Sequence, residues 1–163
     1  MIFWIEAAIL CALFTAAVAY SVQKDPLNWI SDYPPAIQQR AMELGLIPPG
    51  KKCITKPELI RKVGTSVLLV VILATGLVYL NGAETFWQGF FWSYALYTVV
   101  DWYDAFVVDC LWFCHNPRVV LPGTEDLQDA YHDYGFHMKR SLLGMALGLP
   151  ICLLVGALVP VLA

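Results

Sequence analysis

Seven of the thirteen carboxylates and all three histidines fall between Asp101 and His137, and the cluster opens with Asp101-Trp102-Tyr103-Asp104 inside an apolar helix pattern. An ionised side chain at membrane depth costs about 2.5–3.5 kcal/mol on insertion scales, so such groups usually face a bundle interior, a cavity or a ligand. Asp101 and Asp104 are three residues apart and share a helix face with Tyr94, Tyr97 and His115, while Asp109 lies off that stripe. Two carboxylates this close repel when both are ionised, which calls for a shared proton or a cation. His115 is roughly 16 Å farther along an α-helix than Asp104, too far to join the same ion directly.

A second polar group follows. Thr124 reads as the N-cap of a short helix on which Asp126, Asp129, Asp133 and His137 line one side, with His132 three residues from Asp129. Carboxylate and imidazole at these spacings resemble the ligand grammar of di-metal helical bundles. Asp101, Asp104, Asp129, His132, Asp133 and His137 are therefore the expected metal ligands, with Asp101, Asp104 and Asp133 in catalytic roles. Oxygen and nitrogen donors of this kind suit zinc, manganese or iron. Arg118, Lys139 and Arg140 flank the group and are placed to hold a phosphate or lipid headgroup. The plainer reading is a solvated acidic helix face beside basic residues that topology alone explains.

The chain that must position these groups is oily. Its 163 residues are 59% hydrophobic and 14% charged, with a mean hydropathy of +0.62, well above a soluble domain. We expect an all-α integral membrane protein, one domain, with four transmembrane helices at about 2–20, 62–80, 86–113 and 141–162. The segments 21–61 and 114–140 then lie between spans and carry short interfacial helices. Every Lys and Arg falls in the first of these segments, at the start of the second span or in the second segment, which places both in the cytoplasm and both termini outside. Ala17-Val18-Ala19 resembles a signal-peptidase site, but no basic residue precedes it and Glu6 interrupts the segment, so it is read as a retained helix. A net charge of −3 with no basic face argues against nucleic acid.

Local signals fill in the frame. Ile37, Ala41 and Leu44 recur at helical spacing over 36–44, as in a short helix lying on the membrane. Thr55 and Glu58 fit a capping box that starts the second span. Asn81-Gly82 in a five-residue turn predicts an antiparallel hairpin of spans two and three. Glu6 and Glu84 read as solvated near the outer surface, and Trp4, Trp87 and Trp92 as an aromatic belt there. Five cysteines without a CxxC pair are read as packing residues, Cys110 and Cys114 sharing one face. Gly144, Gly148, Cys152 and Gly156 form a four-residue repeat for close helix packing, either inside the bundle or in a homodimer.

Function from sequence narrows to three classes. The leading expectation is a metal-dependent membrane enzyme acting on a lipid or amphiphile. The others are an oligomeric transporter or channel subunit using Asp101 and Asp104 as a relay for protons or cations, and an accessory or scaffold protein in which the acids and histidines fasten helices together.

Overall fold

The computed structural model describes residues 2–48 and 56–163. All regular structure among them is helical. In chain order the elements are α1 (Ile2–Lys24), a 3-10 helix (Pro26–Asp32), α2 (Pro35–Glu43), α3 (Lys56–Asn81), α4 (Phe86–Tyr103), a π-helical stretch (Asp104–Phe113), a 3-10 turn (Pro117–Val119), α5 (Gln128–Tyr131) and α6 (Tyr134–Leu162).

Two helical segments, Ile2–Lys24 and Gln128–Leu162, are long and apolar enough to cross a membrane. A third candidate is the pair Ser66–Asn81 and Phe86–Phe113, bent by 110° at the intervening break, if the pair counts as one span. The segments expected as spans two and three are this bent pair, and their turn falls short of the antiparallel reversal expected for a hairpin. Gly82 adopts φ +65°, and the Ala83 amide bonds back to the Leu77 carbonyl to close the last turn of α3. α4 restarts with its own capping box. The Gln88 amide donates to Thr85 Oγ1, and Gln88 Oε1 accepts from the amides of Glu84 and Thr85. The capping box expected at Thr55 lies outside the described residues.

The chain divides into two compact units, Met1–Ala7, Cys53–Asp101 and Leu143–Ala163 in the first and Ala8–Lys52 and Trp102–Leu142 in the second. The first is sealed by small residues. An added Cβ on Gly148 would strike the Tyr97 ring, one on Gly89 would lie 2.7 Å from Val159 Cγ2, and one on Gly156 2.9 Å from the Phe86 carbonyl oxygen. The repeat of small residues on α6 is thus filled by α4 of the same chain. At another place in this unit, half-buried Glu6 accepts from Asn81 Nδ2 at 2.6 Å and from Trp92 Nε1 at 3.4 Å. Glu6 is engaged rather than solvated, and Trp92 is a donor to it rather than a free belt residue, whereas Trp4 and Trp87 are exposed.

The second unit has a core of larger side chains, with Tyr33, Ile37, Phe113, Val119, Leu121 and Tyr131 among its buried members. Ile37 and Ala41 are the buried positions of α2, while Leu44, the third position of the helical spacing, is exposed at the C-cap; the core consumes the first two, so α2 is not simply a surface-lying amphipathic helix. The polar tips of the core aromatics are satisfied. Tyr33 donates to the Val119 carbonyl at 2.8 Å. Thr124 Oγ1 donates to the Leu121 carbonyl, so the Tyr131 hydroxyl donates to Thr124 while accepting from the Leu121 amide.

Candidate functional site

The helix expected to run from Thr124 to His137 is absent. Thr124 is buried and spends its hydroxyl on the turn it sits in, leaving α5 only four residues long before the chain breaks at His132 and Asp133. α6 then starts at Tyr134, with Asp133 Oδ1 accepting the Phe136 amide at 2.9 Å in the manner of an N-cap. This break separates the spacings read as ligand pairs. Asp129 is exposed, and His132 Nδ1 bonds to the Gln128 carbonyl at 2.8 Å rather than serving Asp129. Glu125 accepts from the Gly123 amide, and Asp126 forms a forked pair with Arg40.

His137 finds a different carboxylate. Its Nδ1 lies 3.0 Å from Asp109 Oδ2, and the ring is only 2% exposed. Phe136 and Phe113 flank it edge to face at 5.3 and 5.9 Å between ring centres. A carboxylate accepts, so Nδ1 carries the proton and Nε2 of the neutral ring carries a lone pair. Nε2 is buried and has no hydrogen-bond partner among the described residues. Such an orphan in a buried imidazole calls for an explanation.

The π-helical stretch explains why Asp109 meets His137. From Asp104 to Phe113 the backbone winds with i→i+5 bonds, ending with the Cys114 amide on the Asp109 carbonyl at 2.9 Å. Winding of this kind turns less per residue than an α-helix, so the face occupied by Asp109 drifts away from the position that an α-helical wheel assigns. Asp109, which lies off the helical stripe of Asp101 and Asp104, is the acid that takes a histidine.

One turn beyond His137, Arg140 pairs with Asp32 and lies over the Phe136 ring at 5.8 Å. Burial pushes the Asp32 carboxyl above its ordinary value, Arg140 pulls it back, and the nearby Asp109 charge raises it again. Burial also pushes the Cys114 thiol up to about 12, with smaller contributions from Cys110, Asp109 and Asp133. Cys114 is therefore a thiol at neutral pH and a poor nucleophile.

The chain matches no protein-family model, no curated protein and no solved structure.

The other expected site residues are dispersed. Asp101 belongs to the first unit, where a Cβ on Gly144 would lie 2.5 Å from its Oδ1. Asp104 is half-buried at the start of the π stretch in the second unit. Arg118 and Lys139 are exposed, and Arg140 is engaged by Asp32. Among the described residues no group of three or more His, Cys, Asp or Glu side chains is placed to hold a metal ion. What the arrangement offers instead is an oriented imidazole, a carboxylate behind it and the Arg140–Asp32 ion pair one turn away. Asp32 lies outside the sequence cluster and Asp109 off its stripe, so neither stands out from spacing alone. The usable signal was Asp109's position inside the same apolar run as Asp101 and Asp104.

Proposed function

We propose that this membrane protein is a small integral-membrane enzyme that acts on a lipid or other amphiphile, with Asp109 and His137 as its acid–base pair. In this reading the chain makes four spans, with both termini on the non-cytoplasmic side and the Asp109–His137 pair near the cytoplasmic leaflet, as the distribution of Lys and Arg supports. The observation that carries it is the unpartnered Nε2 of His137 behind an Nδ1 held by Asp109. A carboxylate in that position fixes the tautomer and stabilises the ring when it takes up a proton, which is the arrangement of a general base. Phe136 and Phe113 flank the buried ring, and an amphiphile is the kind of ligand that enters among aromatic side chains. Exposed Arg118 and Lys139 supply charge for an anionic headgroup. A metal-assisted form of the reaction would have to recruit donors that lie apart here, Asp133 serving as a cap and Asp129 being exposed.

A fastening role for the same pair needs Nδ1 but not Nε2. His137→Asn separates the two, because the asparagine amide nitrogen stands where Nδ1 stands and no atom replaces Nε2. The assay is turnover of defined phospholipids and lysolipids in vesicles containing the purified protein, read by mass spectrometry. His137→Asn should fold and lose about 10²–10⁴-fold in rate. No turnover of any amphiphile by the wild type, or equal turnover by His137→Asn, overturns the proposal in favour of a scaffold.

A further inference from the structure

We propose that His115 and His132 form a metal site on the surface of the second unit that takes a late first-row divalent cation, zinc(II) or copper(II), through two imidazole nitrogens and solvent. It is independent of the Asp109–His137 pair and of the function proposed for that pair.

Both rings are held in the same tautomer. His115 Nδ1 lies 3.1 Å from the Cys110 carbonyl oxygen and His132 Nδ1 lies 2.8 Å from the Gln128 carbonyl oxygen. A carbonyl only accepts, so both Nδ1 atoms carry the hydrogen and both Nε2 atoms carry the lone pair. Metal-bound histidines nearly always have this arrangement, one nitrogen on the ion and the other donating to a carbonyl or carboxylate that holds the ring in place. Here two neighbouring rings have it at once, on side chains 17 positions apart in the chain.

Separation agrees with chelation. The ring centroids are 5.0 Å apart, with an interplanar angle of 67°. Two imidazoles bound at about 2.0–2.1 Å to one tetrahedral ion place their centroids about 5 Å apart. Tyr134 stacks beside His115 at 6.4 Å, and its hydroxyl lies 3.4 Å from His115 Nε2. Because that nitrogen has only a lone pair, the hydroxyl is its donor in the absence of metal and is what an arriving cation displaces.

Neutral nitrogen donors select the metal class. Two imidazoles without a carboxylate give little to magnesium or calcium, which prefer oxygen, and most to copper(II) and then zinc(II) or nickel(II). His115 is exposed and His132 half-buried, so the remaining coordination positions belong to water and the site exchanges with bulk. The ion would bridge the end of the π stretch to the break before α6.

The test uses the full-length, tag-free chain in detergent micelles, titrated with zinc chloride and separately with copper sulfate under calorimetry. Wild type should bind one equivalent, and the melting temperature should rise with metal because the folded state alone presents both rings. His115→Ala and His132→Ala should each weaken binding by roughly tenfold or more, since each leaves a single imidazole, and should abolish the rise in melting temperature. Their metal-free melting curves report folding, and because the two residues sit on different elements, either variant alone suffices. Cys110→Ser should bind as wild type does. No uptake of either metal by the wild type, undiminished affinity in either folded histidine variant, or loss in Cys110→Ser alone overturns the proposal.

Discussion

The two units bury different things. In the first, close contacts are made at Gly89, Gly148 and Gly156 against Val159, the Tyr97 ring and the Phe86 backbone, with Ser93 and Cys152 buried beside them in sequence. In the second they are made by Tyr33, Tyr131, Phe113, Ile37 and Leu121, with hydroxyls spent on backbone carbonyls and amides. Lipid tails are as apolar as leucine, so helices immersed in them gain little by hiding large side chains and gain more from close backbone approach. Large aromatic side chains gain from burying apolar area, and every polar tip they take in must be satisfied. The two units thus close on side chains of different size, and the ionisable groups follow the division. Nine of the thirteen carboxylates lie in the residues of the second unit.

This contrast predicts opposite sensitivities to side-chain volume. Tyr131→Ala in the second unit should cost about 3–5 kcal/mol in chemical denaturation, as for other large aromatic truncations. Gly148→Val in the first should cost about 1–3 kcal/mol by overpacking against Tyr97, read in the same experiment. If enlarging a small residue in the second core proved equally costly, or if truncation in the first did, the division would fail. Tyr131→Phe removes no volume but strands the buried Leu121 amide, and should cost about 1–3 kcal/mol. Arg40→Ala, which breaks an exposed pair with Asp126, should cost only about 0.2–1 kcal/mol and less in high salt.

Smallest is the pH effect of Asp32. Its folded value lies above the ordinary one, so the folded state holds this proton more tightly than the unfolded state. That contribution is fully present below the ordinary carboxyl value and is lost as pH rises through the folded value. Asp32→Asn should flatten this slope in melting temperature against pH, and an unchanged slope would show that another group sets it.

Much of the frame was legible. Apolar runs marked where the long helices lie, and the spacing of Ile37 and Ala41 named the buried face of α2, because side-chain periodicity reports local geometry directly. The region from Asp101 to His137 was legible as a polar group, but its pairings were not. An α-helical wheel at 100° per residue does not hold from Asp104 to Phe113, where the π stretch shifts the face of Asp109, and the break at His132 and Asp133 undoes the faces of 126–137. Thr124 had the chemistry of an N-cap, yet a hydroxyl that reaches a buried tyrosine and a turn carbonyl serves those instead. Glu6 and Asp32 lie far along the chain from their partners Asn81, Trp92 and Arg140, and no local pattern encodes such a meeting.

The glycine seam between α4 and α6 has a calorimetric consequence. Backbone brought this close, as at Gly156 beside the Phe86 carbonyl, gains dispersion, which does not depend on ordering water. Heat capacity of unfolding comes from apolar surface newly given to water, so the aromatic unit should supply most of it and the seam little. On cooling toward freezing, the aromatic core should loosen while the seam holds, which makes the part of the molecule that carries the histidines also the part most susceptible to cold.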